Sequence, residues 1–314
     1  MSEVKNTKNR VTVYAPATVA NMVCGFDVLG FALNGPYDKM VIKKTSQKGV
    51  TIINKDDYNL PVKPEKNVIG AALLAMLNEL NENNIGFEVE STKIIKPGSG
   101  IGSSAASAAG AVVGANHLLG NRFSNNQLID FALCGEVIAS GSKHADNIAP
   151  CIFGGITLIR STNPLDIISI PSPLLYVTIL HPQIEVKTSD SREILKKHVT
   201  LKDAVTQWGN VAGLISGLFK SDYDLIGRSL VDVIVEPVRS MLIPYFDEVK
   251  TKSIEAGALG GGISGSGPSV FMLSKDEATA KQVEKAIIGV YKNLNIDFHT
   301  HITTISNDGV KVEF

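Results

Sequence analysis

The chain has 314 residues, of which 44% are hydrophobic and 19% charged, and its formal net charge is −1. That length exceeds the ~250–300 residues over which one core usually grows, so two domains are expected. The balanced charge supplies no global basic field, and basic residues are not interleaved with aromatics, so no nucleic-acid and no membrane partner is expected.

The three cysteines, Cys24, Cys134 and Cys151, are scattered and form no Cys-x-x-Cys pair. They suit a reducing compartment better than a disulfide framework or a zinc site. His299 and His301 share a strand face but have no third ligand near them, and they read as surface residues. Met1–Arg10 is polar and carries no apolar h-region, and no apolar run reaches the ~20 residues that a bilayer-crossing helix needs. A soluble cytoplasmic protein is expected.

In chain order, 11–14 reads as a short strand and 15–30, rich in Gly, Ala and Asn, as a loop. Segments 39–45 and 50–54 are strands. The spacing of Val68, Ala71, Ala72, Ala75, Leu77 and Leu80 predicts a helix over 67–82. Asn67 stands where it can cap that helix or face a ligand. Segment 86–95 alternates as a strand does and ends at Lys96-Pro97. A glycine run over 98–102 leads into an alanine-rich helix over 103–119, and 125–140 is a further helix. A strand over 156–160 precedes 163–173, whose three prolines mark a domain boundary. Beyond it follow a strand (175–181), helices (189–198, 201–219, 223–233 and 244–255), a second glycine run, a strand (269–273), a helix (275–293) and a closing strand (297–305). The alternation argues for two α+β domains, 1–165 and 166–314.

Gly98-Ser99-Gly100-Ile101-Gly102-Ser103-Ser104 lies between a strand and a helix. Glycines let backbone N–H groups approach a ligand, and the helix start adds unsatisfied donors with a partial positive charge. Together these suit phosphate. No Gly-Lys-Ser/Thr follows, so this is not a P-loop. The competing reading is tight helix-on-strand packing with Ser103 as an ordinary cap.

Lys96-Pro97-Gly98-Ser99-Gly100-Ile101-Gly102-Ser103-Ser104-Ala105-Ala106 resembles the ATP-binding motif of the GHMP kinases, commonly Pro-x-x-x-Gly-Leu-Gly-Ser-Ser-Ala. Lys96 stands at the usual proline, Pro97 follows one place late, and Ile101 replaces leucine. Segment 14–30, Gly135-Glu136, 141–150, 186–192 and 236–239 are similar to segments of the homoserine kinases of that family. Segment 257–269 resembles the third GHMP motif. The Pro/Ala-Gly-Arg/Lys of the mevalonate kinase and galactokinase relatives is absent.

The resemblance implies an N-terminal domain like ribosomal protein S5 domain 2, a C-terminal ferredoxin-like domain and a site in the cleft between them. It implies ATP and Mg²⁺, a homodimer, and phosphorylation of the L-homoserine hydroxyl to O-phospho-L-homoserine, a step towards threonine. Asp27, with Asn21 beside it, is expected to pair with the substrate ammonium. Arg192 and Arg239 are expected to take its carboxylate, and His144 and Asp146 to line the polar wall. Ser104 and Glu136 are the expected Mg²⁺ ligands, and Thr188 lies towards the γ-phosphate. Asp27, Arg192 and Thr188 are the catalytic candidates, with Asp27 a substrate ligand first, because the γ-phosphate itself can take the hydroxyl proton. Each of these residues also has a plainer reading as a turn, capping or surface group. Two rivals remain at this level: a GHMP kinase for another alcohol, and a ligand-binding regulator without turnover.

Overall fold

The computed structural model describes residues 9–141 and 143–314; residues 1–8 of the polar N-terminus, and Ser142 within the 141–150 motif, lie outside the described residues. Strand β1 (Arg10–Ala20) and strand β2 (Leu29–Thr45) both reach into the segment expected as a loop. Ala15, Ala17 and Val19 are fully buried, which gives a small-residue strand its stability without alternation. Pro16 is tolerated because the β1–β2 register shifts between Pro16 and Thr18, where no ladder donor is needed.

Then come β3 (Gly49–Asn54), α1 (Val68–Leu80), β4 (Gly86–Thr92), α2 (Ser103–Leu118), α3 (Asn125–Ser140), α4 (Ala145–Phe153), β5 (Ile156–Thr162) and β6 (Leu165–Ile170). Beyond Pro171 and Pro173 the chain runs through β7 (Tyr176–Pro182), α5 (Thr188–Glu193), α6 (Leu201–Lys220), α7 (Tyr223–Ser229), α8 (Glu236–Arg239) and α9 (Phe246–Glu255). It closes with β8 (Gly260–Ile263), β9 (Val270–Ser274), α10 (Glu277–Tyr291), β10 (Phe298–Thr304) and β11 (Lys311–Glu313).

Helices α4 and α8 and strands β6, β8 and β11 have no counterpart in the sequence reading. Each is short, and α4 carries Pro150 inside it, so local pattern is weak. α7 stops at Ser229, short of the expected 233, because the Asp232 carboxylate takes the N–H groups of Ile234, Val235 and Glu236 and starts a new turn.

The first sheet has seven strands in the order β11-β1-β2-β4-β3, with β5 added to the start of β2 and β6 to β5. β3–β4 is its parallel pair among otherwise antiparallel neighbours. The second sheet, β10-β7-β9-β8, is antiparallel. His299 and His301 are exposed on its edge strand β10.

Strand alternation joins the two sheets. On β7 and β9, Val177, Ile179, Phe271 and Leu273 face the main core, whereas Leu180, Val270 and Met272 face a second core with Val249, Val283 and Ile287 of α9 and α10. Phe31 of β2 meets Phe271 of β9 edge-on with ring centroids 5.5 Å apart. The two halves therefore pack as one body around the cleft. Among the described residues no helix is long and apolar enough to cross a membrane.

Asn67 caps α1: its Oδ1 accepts from the N–H groups of Ile69 at 2.8 Å and Gly70 at 3.4 Å, and its Nδ2 donates to the Pro61 carbonyl at 2.5 Å. Asn67→Ala is expected to lower stability by about 1–2 kcal/mol. Urea titration should show a lower midpoint with an unchanged slope.

Candidate active site

One cleft of 480 Å³ takes its walls from both halves of the chain. The glycine loop forms its floor. Pro97, Gly98, Gly100, Gly102, Ser103 and Ser104 face the cleft, while Ile101, Ala105 and Ala106 are buried in the core beneath. Ser99 is buried too, and its carbonyl accepts from Ser269 Oγ at 2.6 Å. Lys96 turns away to Gln183, with its Nζ 2.6 Å from Oε1.

Two glycines of the loop are required. Gly102 caps α2 in the left-handed region, φ 71°, where a Cβ would stand 2.0 Å from Thr18 Oγ1. Gly100, φ 83°, comes so close to the facing turn that a Cβ would lie 2.5 Å from the Gly267 carbonyl oxygen. Ser103 is not the cap; its Oγ donates to the Ile95 carbonyl at 2.8 Å.

Lys93 supports the loop from below. Its ammonium is paired with Asp38 and donates to the Ser103 carbonyl at 2.7 Å and Ser107 Oγ at 2.9 Å. The other Asp38 oxygen accepts from the N–H groups of Ile94 and Ile95 at 2.8 and 2.9 Å. Burial lowers the Lys93 pKa, and Asp38 works against that shift.

Ser104 and Glu136 meet at the glycine-loop end of the cleft. Burial raises the Glu136 pKa, and a hydrogen bond from Ser104 lowers it. Among the described residues no cluster of three or more His, Cys, Asp or Glu stands ready for a metal. A hydroxyl and one carboxylate fit Mg²⁺, which keeps several of its waters.

The opposite end of the cleft is built on strained backbone. Asn21, Met22 and Val23 have φ of 73°, 41° and 64°, and Asp27 has 60°. Consecutive non-glycine residues in this region, one of them β-branched, cost roughly 1–3 kcal/mol each and persist only where surroundings impose them. The impositions here are visible. Met22 and Val23 are buried, Asn21 Nδ2 donates to the Gly265 carbonyl at 2.8 Å, and the Asp27 N–H donates to Asn21 Oδ1 at 3.1 Å.

Arg192 Nη2 donates to Asp27 Oδ1 at 2.6 Å and to His144 Nδ1 at 3.1 Å. A guanidinium has only donors, so Nδ1 is the accepting nitrogen of a neutral His144. Burial and Arg192 lower the His144 pKa accordingly, with Asp27 opposing. Arg239 is 3% exposed and donates to the Ser191 and Gly265 carbonyls, both at 3.0 Å. Burial, then Arg192, lowers its pKa to about 10, so it stays charged at neutral pH. Phe26 lies between the two guanidinium groups, 5.4 Å from Arg192 and 5.0 Å from Arg239. Asp146 is buried in the same wall, and burial, then Asp27 and Glu136, pushes its pKa up to about 7. Thr188 Oγ1 lies 3.2 Å from Ser266 Oγ above the loop.

Asn21, Asp27, Ser104, Glu136, His144, Asp146, Thr188, Arg192 and Arg239 thus line one cleft, whereas Lys96 and Ser99 of the expected ATP-binding motif do not. Sequence reasoning missed Lys93, Phe26 and Gln207. Lys93 is signalled only as a cation just past β4, directly before the apolar pair Ile94-Ile95. Gln207 is a polar residue at a buried position of α6, in step with Leu214 and Leu218. Its Nε2 donates to the Cys24 carbonyl at 2.8 Å and to Asp232 Oδ1 at 3.0 Å, and its Oε1 accepts from the Val233 N–H at 3.1 Å. It thereby ties the Asn21–Asp27 loop to the segment that leads into Arg239.

The GHMP kinases N terminal domain family matches residues 67–155, and the GHMP kinases C terminal family matches residues 214–293. The homoserine kinase of Chlorobium phaeobacteroides (strain BS1) is 46% identical over 96% of this chain and 99% of its own. The homoserine kinase of Methanococcus vannielii is 39% identical over 85% and 89%. The crystal structure of homoserine kinase from Cytophaga hutchinsonii superposes with a TM-score of 0.93 at 47% identity, covering 99% of this chain and 100% of that one. The chain belongs to the GHMP kinase family, within its homoserine kinase branch.

Asp146 sets a pH dependence. Its folded pKa lies above its unfolded value, so between about pH 4 and 7 the folded state keeps a proton that the unfolded state has released. That contribution to stability is complete below about pH 4 and is lost as pH rises through 7. Urea unfolding at pH 5, 6, 7 and 8 should show the native protein losing ground to Asp146→Asn by up to about 1.4 kcal/mol per pH unit below 7, then running parallel to it.

Proposed function

We propose that this protein transfers the γ-phosphoryl group of ATP to the side-chain hydroxyl of L-homoserine, giving ADP and O-phospho-L-homoserine on the route to threonine. The observation that carries the reading is the pairing in one cleft of a phosphate cradle with a charge cluster complementary to a zwitterion. The backbone N–H groups of Gly98–Ser104 and the start of α2 hold the phosphates. Mg²⁺ held by Ser104 and Glu136 would neutralise their charge.

An amino acid presents an ammonium and a carboxylate. These ends replace the contact that Asp27 and Arg192 make with each other: Asp27, with Asn21, takes the ammonium, and Arg192, with Arg239, takes the carboxylate. His144 and Asp146 close the polar wall, which leaves the hydroxyl directed at the phosphate side near Thr188. Its oxygen attacks the γ-phosphorus in line, the bond to the β–γ bridging oxygen breaks, and ADP leaves. Asp27 is engaged in binding, so the hydroxyl proton passes to a γ-phosphoryl oxygen. We read the enzyme as a cytoplasmic homodimer.

A coupled ADP-release assay with homoserine, mevalonate, shikimate and galactose tests the substrate. Turnover is expected with homoserine, and turnover with another alcohol alone would overturn the reading. Arg239→Ala is expected to raise KM for homoserine about 10- to 150-fold, the loss of a charge-assisted hydrogen bond, while KM for ATP changes little. An equal rise in both constants would remove Arg239 from the substrate side.

A further inference from the structure

Helix α6 (Leu201–Lys220) presents a second apolar face that none of the described residues covers. Its inner face buries Gln207, Leu214, Gly217 and Leu218. On the outer face Leu201 is 73% exposed, Val205 54%, Trp208 62% and Phe219 60%. Ala212 is exposed and Ile215 half-buried between them. Successive members of this row are 4, 3, 4, 3 and 4 residues apart. That is the 3.5-residue period of a seam between two packed helices. No charged residue occurs between Asp203 and Lys220, whereas a solvated helix face is normally charged.

Gly209 flanks the row in mid-helix, where glycine costs roughly 0.5–1 kcal/mol relative to alanine. A Cβ there would meet nothing within 4 Å, so nothing among the described residues calls for glycine at this position. Gly213 and Gly217 differ: α7 crowds both, with Ser229 Oγ and the Ile226 nitrogen 2.5 and 2.9 Å from the Cβ positions.

We propose that the outer face of α6 is a two-fold self-association surface, on which a second copy of this chain lays its own α6 antiparallel. The proposal rests on the homodimer reading above and is independent of the catalytic one. A 4-3-4-3-4 spacing reads the same in both directions, which an isologous contact requires. With the axis midway between Trp208 and Ala212, the large indole meets Ala212 of the partner subunit. Val205 then meets Ile215 of the partner subunit, and Leu201 meets Phe219 of the partner subunit. Gly209 lets the two backbones approach near the axis, and antiparallel helices oppose their dipoles.

The row supplies more than half of the area that a stable contact needs. The four strongly exposed side chains offer on the order of 400–500 Å² per copy, against about 800 Å² per partner in a stable complex. Val199 and Val231, 47% and 44% exposed, extend the face. Val231 is held beside the middle of α6 by Asn210, whose Nδ2 donates to its carbonyl at 2.8 Å. A membrane-lying helix would carry a basic polar face, which α6 lacks between its ends.

Trp208 is the single tryptophan of the chain, so its fluorescence reports directly on this face. Sedimentation velocity of the full chain should show a dimer at micromolar concentration, with Trp208 emission moving to the red on dilution. Val205→Asp should raise the dimer dissociation constant at least about 100-fold, the order expected for burying an unpaired charge. Under mild oxidation Trp208→Cys/Ala212→Cys should cross-link two chains far better than either single change, and this arm stands even where Val205→Asp does not fold. A monomer at all concentrations would overturn the surface and the homodimer reading together. A dimer with solvent-exposed Trp208 that survives Val205→Asp would overturn the surface alone. So would a monomer that binds phosphatidylglycerol vesicles through Trp208.

Discussion

The backbone of Gly265 joins the two halves of the molecule at the cleft. Its carbonyl oxygen accepts from Asn21 Nδ2 at 2.8 Å and from Arg239 Nη1 at 3.0 Å, and its N–H donates to the Ala20 carbonyl at 3.4 Å. A carbonyl has two lone pairs, and both are used here by side chains from distant parts of the chain. One of them holds the left-handed turn at Asn21, and the other fixes the guanidinium of Arg239. On the same turn, Ser264 Oγ donates to the Gly100 carbonyl at 2.7 Å, and Ser269 Oγ to that of Ser99. The glycine loop and the charge cluster therefore share one support. Displacing it would disturb both ends of the cleft together.

Around that joint the electrostatics are arranged in opposite ways at the two ends. Beneath the glycine loop, Lys93 and Asp38 are fully buried and satisfy each other together with backbone and hydroxyl groups. Such a pair adds little net stability but costs several kcal/mol when broken, so it acts as a fixed prop. At the other end, Asp27 and Arg192 form a half-exposed pair that solvent and ligand can reach. Its attraction is modest, and exchanging it for the two ends of a zwitterion is correspondingly cheap. The rigid pair holds the glycine loop in place, and the exchangeable pair is the one to which the proposed function assigns the small molecule.

Helix α6 connects this site with the surface. Gln207 reaches inward to the Cys24 carbonyl and to Asp232, whose carboxylate organises the turn before Arg239. The next residue, Trp208, points outward. One helix thus carries the bracket that spaces Asp27 from Arg239 and the apolar row that we assign to a second copy. The bracket uses three hydrogen bonds of a neutral amide, which fixes distances without adding charge to the site.

Local chemistry alone makes much of this protein readable. The glycine run, its following helix and the order of motifs point to a nucleotide-binding kinase fold, because turns, caps and phosphate cradles are short-range constructions. Asp27, Arg192 and Arg239 could be named from their motifs for the same reason. Tertiary structure decided the rest. Residues 15–20 became a strand because β2 and α2 bury their small side chains. β11 exists because β1 offers it an edge about 300 positions away, with Thr12 opposite Glu313. Lys93, Phe26 and Gln207 carry little sequence signal of their roles because their partners, Asp38, the two arginines and Asp232, lie elsewhere in the chain. The pairing of Arg192 with Asp27, 165 positions apart, is likewise a product of packing. Period and composition record what a residue prefers locally; which charge it faces is settled only when the two sheets close on each other.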